Sequence, residues 1–220
     1  MFFLYILFSV AIFLLTLVGY RKYKMTTLYA LAIGGIVNAN FFHAQSYPIE
    51  FFGLPFGLDS ILYTLFVFCV FVMYISEGKK QGYILSISSV VAIVISAAFQ
   101  LFADLFTKGI NVESFRVFAI FFVSAFATMV SMAVSIRLLE KIKHKTNKYV
   151  LLLIFMIVVS VVNTSIYCCL VDLISNPVSN IFSLLSASLI GKGIAIACSF
   201  VAFYLINTIT KQKSSSQKVD

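Results

Sequence analysis

Seven stretches of apolar residues, each 18 residues or longer, run through this chain at about 2–19, 25–44, 58–76, 82–106, 115–139, 149–171 and 181–210. A helix needs about 20 such residues to cross a ~30 Å hydrocarbon core. Backbone groups inside lipid have no water to bond, so a spanning segment must satisfy them within itself. The stretches are therefore expected to be helices. An outer-membrane barrel would show alternating segments of about 10 residues instead, and runs such as 149–162 show no alternation. The second stretch is the weakest, because Gly34, Gly35, Asn38, Asn40 and His43 interrupt it. Composition supports the same solvent: 61% of residues are hydrophobic and 11% charged, where soluble domains carry roughly 25% charged residues. The expected fold class is all-α, a polytopic helical membrane protein of about seven transmembrane helices. Residues 1–210 form its single transmembrane domain and 211–220 a disordered cytoplasmic tail.

Basic residues set the direction of these spans. Arg21, Lys22, Lys24, Lys79, Lys80, Arg137, Lys141, Lys143, Lys145, Lys148, Lys211, Lys213 and Lys218 fall on one side if the segments alternate strictly. Lys108 and Arg116 fall on the other, and Lys192 lies inside the last segment. The positive-inside rule places the thirteen in the cytoplasm. The N-terminus is then outside, the C-terminus inside, and the expected location is a bacterial inner membrane. The formal charge of +8 thus reads as a lipid-facing topology signal, with the bilayer as partner and no nucleic acid. Glu50, Asp59, Asp104, Glu113 and Asp172 gather at the outer face. They are either ordinary loop solvation or a mildly anionic mouth favouring cationic or neutral solutes. The first segment has no basic leader and no small-x-small cleavage site, so it reads as a retained helix rather than a signal peptide. The four cysteines lie within spans without metal-like spacing and read as packing residues.

Polar residues at membrane depth carry the functional information, because burying them costs energy. Lys192 lies eleven residues past Ile181, about 16 Å along a helix, too deep to reach either face easily. Its two readings are a tie between helices and a contact for a solute or ion. No acidic residue lies deep in any span, which leaves Asn163, backbone carbonyls, water or a ligand as its partner. Around it Ser183, Ala187, Gly191, Ala195 and Ser199 form an i, i+4 ridge of small residues, of the kind that lets helices approach closely in lipid. This ridge points to a central place for the last helix. Three further stripes have helical spacing: Ser96, Gln100 and Asp104; Ser124, Thr128, Ser131 and Ser135, with Arg116 two turns above; and Ser160, Asn163, Thr164 and Tyr167. Each alone is more often glue between helices than a site. Together they predict a polar cavity in the outer half of the bundle. Asn38 and Asn40 would point about 200° apart in an unbroken helix, so both can line one cavity only if the helix ends there. With the turn chemistry of 53–57, residues 38–59 are expected to form an irregular outer hairpin. His43 in that segment is either a proton-sensitive switch or an interfacial residue satisfied by water.

Several of these residues also carry a resemblance. Ala39-Asn40, the run Ile49-Glu50-Phe51-Phe52-Gly53, and the span ending at Glu77-Gly78-Lys79-Lys80 resemble the vitamin-uptake-transporter-like family. The best-known members of that family are bacterial queuosine-precursor transporters. Phe115-Arg116 opening a Ser-rich span, Thr146-Asn147 in a basic loop, Ser160 to Thr164, and the late Lys192 are similar to further elements of that family. The likeness runs from about Leu28 to Thr210. Two positions depart from it: Val70–Ser76 holds no Asp, and Asn163 stands where the family has an Asp. The resemblance implies uptake of a 7-deazaguanine precursor across the inner membrane, with Asn40, Arg116, Asn163 and Lys192 carried over.

The expected function is therefore a transporter for a small heterocyclic solute. Asn38, Asn40, His43, Gln100, Arg116, Asn163 and Lys192 are its candidate substrate-binding residues. A planar solute needs a few amide or hydroxyl groups and aromatic walls, and the chain has 24 Phe and 11 Tyr. The alternatives are a substrate-binding subunit of a multi-component vitamin uptake system, energised by other chains, and a non-transporting membrane protein. The chain shows no Walker loop, metal-ligand spacing or paired acid and base. No cofactor and no enzymatic activity are expected, and a partner would be the solute, an energising subunit or a second copy.

Overall fold

The structure is a computed structural model that describes residues 2–45, 48–51, 54–109, 112–174 and 181–216. It contains seven helices: α1 (Phe2–Tyr23), α2 (Met25–Gln45), α3 (Leu58–Glu77), α4 (Lys79–Lys108), α5 (Val112–Ile142), α6 (Lys148–Ile174) and α7 (Ile181–Ser216). All but α2 are long and apolar enough to cross a membrane, and the apolar part of α2 covers Met25–Phe41. The chain is thus a multi-pass helical membrane protein. Its tail continues the helix of α7 as far as Ser216, and residues 217–220 lie outside the described part.

Six helices form a ring around the seventh. Neighbours pack in the order α1, α2, α4, α5, α6, α7 and back to α1, and α3 fills the centre. Residues Tyr63 through Tyr74 of α3 are buried without interruption. This corrects the expectation that α7 is central. The small-residue ridge of α7 is buried where it is described, at Ala187, Gly191, Ala195 and Ser199, but it seats α7 in the ring. Hydrophobicity could not reveal the difference, since lipid and a protein interior accept the same apolar side chains.

The links at one end are short. A single residue, Lys24 at φ 54°, joins α1 to α2, and a single glycine, Gly78 at φ 92°, joins α3 to α4. Gly78 supplies a backbone conformation that a side chain would strain. Interhelical hydrogen bonds tie that end together. Tyr20 donates to Glu77 (2.9 Å), Arg21 to the Ile206 carbonyl (3.2 Å), Tyr74 to Glu140 (2.5 Å) and Lys148 to Asn207 (3.1 Å). These contacts join the C-terminal ends of α1, α3, α5 and α7 to the N-terminal end of α6, as strict up-and-down alternation requires. The basic residues of the first two links and of the α5–α6 link therefore share one end of the bundle.

At the other end, α2 stays helical to Gln45 instead of breaking near Asn38. The expected irregular hairpin is shorter than 38–59. It is a two-stranded antiparallel ribbon, β1 (Pro48–Phe51) and β2 (Leu54–Gly57), with Pro48 opposite Gly57 and Phe51 opposite Leu54. Helix and ribbon win over irregular backbone because each satisfies its own amides.

Candidate functional site

The polar residues of five helices meet at one cavity in the half of the bundle away from the basic end. Its walls are Ile36, Ala39 and Asn40 of α2, Asp59 and Tyr63 of α3, Ser124 of α5, Asn163, Thr164, Tyr167 and Cys168 of α6, and Ser188 and Lys192 of α7, around a free volume of about 70 Å³. That is room for a few waters.

Each helix brings its group inward for a local reason. On α2, Gly35 allows close approach to α3: a Cβ there would lie 3.1 Å from the Leu62 carbonyl oxygen. This draws Asn40 to the cavity wall, where its amide donates to the Ile36 carbonyl (2.8 Å). Asn38 points the other way, is exposed, and donates to Gly34 (2.8 Å). The roughly 200° separation of the two side chains thus holds because the helix does not break. On α3, Asp59 sits in the first turn, where a carboxylate is favoured by the helix dipole. Tyr63 follows one turn later on the same face. On α6 and α7 the polar groups lie well inside the spans, so they must find partners within the bundle.

Lys192 is the centre of the site. It is 7% exposed. Its ammonium donates to Thr164 Oγ1 (2.7 Å) and Asn163 Oδ1 (3.3 Å) and lies 4.4 Å from the centroid of the Tyr63 ring. Asn163 in turn donates to Thr128 Oγ1 of α5 (3.4 Å), and Ser131 donates to the Thr128 carbonyl (3.0 Å). The predicted stripes of α5 and α6 therefore converge, and the lysine of α7 closes them into one network. Around the ammonium are neutral oxygens and an aromatic face, both of which stabilise a cation. The hydroxyl of Tyr63 is buried near the Thr128 and Ser131 side chains, without a close, well-aligned hydrogen bond among the described residues. A buried hydroxyl left in that state is costly, and next to a cavity it invites water or a ligand.

The other candidates lie apart. Gln100 donates to Asp104 Oδ1 (3.4 Å) within α4, and neither lines the cavity. Arg116 is half-buried on α5 and is not part of the cavity wall. His43 belongs to the last turn of α2, and its side chain lies outside the described part. Residues that were not anticipated are Asp59, Tyr63, Cys168 and Ser188. A signal existed for the first two: Asp59 and Tyr63 are four apart, hence on one helix face. Asp59 read as an outer-face charge, either loop solvation or part of an anionic mouth, because it starts its helix.

Toward the basic end the cavity gives way to packed aromatic rings. Phe71 of α3 meets Phe155 of α6 (5.7 Å between centroids) and Phe203 of α7 (6.2 Å), while Tyr149 meets Phe203 (5.6 Å). All but Tyr149 are buried. The site is closed on that side.

The chain matches no protein-family model, no curated protein and no solved structure.

Proposed function

We propose that this protein is a transporter for a small, planar, polar heterocycle, and that the Lys192 cavity is its solute site. One observation carries the reading. A lysine ammonium is buried mid-bundle beside a cavity that also exposes a carboxylate, two tyrosine rings and several neutral hydrogen-bonding groups. A lysine needed only for packing has apolar replacements, and exchanging buried charge for apolar volume is often neutral or stabilising. One kept at a penalty of about 2.5–3.5 kcal/mol is better explained by a ligand.

The chemistry suits a guanine-like edge. A carboxylate accepts N–H bonds from an amidine-type ring edge, and Asp59 brings one to the cavity wall. The Lys192 ammonium can donate to a ring carbonyl oxygen, and Tyr63 and Tyr167 offer aromatic walls. Asn40, Ser124 and Ser188 are neutral donors and acceptors that add orientation. This supports the 7-deazaguanine class suggested by the sequence resemblance. Sites for drug-sized ligands occupy roughly 300–1,000 Å³, so a cavity of about 70 Å³ belongs to a contracted state. Alternating access around a mid-bundle site would widen it toward the outer face and later part the aromatic rings below.

The test is uptake of radiolabelled 7-cyano-7-deazaguanine, alongside adenine and guanine, by proteoliposomes containing this chain alone. Saturable uptake that Asp59→Asn lowers at least tenfold is expected. No uptake of any of the three above protein-free vesicles would count against the reading.

A further inference from the structure

A second recess lies on the outside of the ring, away from the solute cavity. It runs between α1 and α2 and is walled by Ile12, Leu15, Tyr23, Thr26, Ala30 and Leu31, with a volume of about 560 Å³. From Tyr23 to Ile12 it follows eleven residues of helix, about 16 Å. That is half of a ~30 Å hydrocarbon core, the depth of one leaflet. Its walls are apolar along this length apart from Thr26 and Thr27, the latter donating to the Gly19 carbonyl (3.0 Å), and Leu15 and Tyr23 are largely exposed.

Positive charge sits at its mouth. Lys22 and Lys24 are exposed at the single-residue link between the two helices. The Lys22 ammonium lies 5.0 Å from the centroid of the Tyr23 ring, which itself forms part of the groove wall, and the Lys24 ammonium lies 5.9 Å from that of Tyr20. Arg21 is turned away, donating to the Ile206 carbonyl of α7. Residues 2–45 contain no Asp or Glu. At the same end, the Glu77 carboxylate accepts from Tyr20. Thr26 adds an exposed hydroxyl beside the mouth. The trough is one leaflet deep, with the Lys22 ammonium against its Tyr23 wall and Lys24 on the adjoining link, an arrangement that suits an acyl chain with a phosphate at its end. Basic pockets between helices on the cytoplasmic side recognise such headgroups.

We infer that the α1–α2 groove binds one anionic phospholipid from the leaflet at the basic end. An acyl chain lies along Ile12, Leu15 and Leu31, and the phosphate rests between Lys22 and Lys24. This site is independent of the transported solute. It would anchor the α1–α2 hairpin, whose second helix carries Asn40 to the cavity.

The experiment is native mass spectrometry of the full chain released from micelles holding equimolar phosphatidylglycerol and phosphatidylcholine. One retained phosphatidylglycerol per protein is expected, in preference to phosphatidylcholine. Replacing Lys22 and Lys24 together by Gln should weaken its retention about thirtyfold, given the usual contribution of each basic residue near an anionic surface. Ala30→Phe, which fills the groove and leaves the charges, should reduce retention of the same lipid, with an unchanged melting temperature confirming the fold. Inorganic phosphate should not displace it, because the acyl chain carries part of the binding. Equal retention of phosphatidylcholine would overturn the assignment. So would an undiminished preference in the double Gln variant, no effect of Ala30→Phe, or displacement by phosphate alone.

Discussion

Lys192 sets the terms of the site. Its ammonium is held by Thr164, Asn163 and the Tyr63 ring, contacts that offset its burial without a full charge partner at hydrogen-bond distance. Two substitutions separate its structural and functional roles. Lys192→Met keeps the volume and removes the charge, and exchanges of this sort are often neutral or stabilising. Its melting temperature in detergent should stay within about 4 °C of the parent, while uptake falls at least tenfold. Thr164→Val leaves the ammonium short of its 2.7 Å acceptor and should cost about 1.5–3 kcal/mol, the usual worth of a hydrogen bond to a charged group. Chemical unfolding would measure this loss. The depth of Lys192 and the spacing of Asn163 and Thr164 were legible in the sequence, because an intramembrane polar group at helical period has few reasons to be there. Asp59 was legible only as one of five outer-face carboxylates, either solvated or forming an anionic mouth. A carboxylate at a helix start does not show a place in a binding site until the neighbouring helices show that the first turn faces a cavity.

Helices in this bundle are placed by small residues and by links more than by hydrophobicity. Gly35 lets α2 lie against the Leu62 carbonyl. Gly35→Leu should push the two helices apart, displace Asn40 from the cavity and lower both thermal stability and uptake. Gly34→Leu, where an added Cβ meets nothing within 4 Å, should leave the melting temperature nearly unchanged. The contrast between adjacent glycines is read by melting curves of the two variants side by side. The small-residue ridge of α7 was visible in sequence as a packing face, and it is one. Which helix takes the centre was not visible, since α3 lacks any pattern that separates a protein neighbour from a lipid one. The persistence of α2 through Asn38 and Asn40 has the same root. Asparagine favours breaks in water, but inside a bundle each donates back to its own helix, to Gly34 and Ile36, and the helix continues.

The whole molecule is a six-helix ring around α3, with a small polar cavity at one end and tethered, positively charged helix ends at the other. Single cysteines placed at Lys145 and Lys108 in a chain freed of its native cysteines should report the topology. A membrane-impermeant thiol reagent applied to intact cells should label position 108 and spare 145. Alternation of spans was readable from charge alone, because thirteen basic residues fall on one side of every crossing. The ring was not, because closure depends on contacts between helices distant in sequence, such as α1 with α7.

The most direct test is beside Lys192. A Ser188→Cys variant, which keeps the lysine and places a thiol on the cavity wall, in a chain with Cys69, Cys168, Cys169 and Cys198 replaced by Ala, is reconstituted in sealed vesicles with its N-terminal face outward. A small, membrane-impermeant methanethiosulfonate reagent is then added outside. The account predicts that the cysteine reacts from that side and that 7-cyano-7-deazaguanine slows the reaction. A cysteine that stays unreacted from outside, or reacts at the same rate with solute present, would contradict a solute site opening to the outer face.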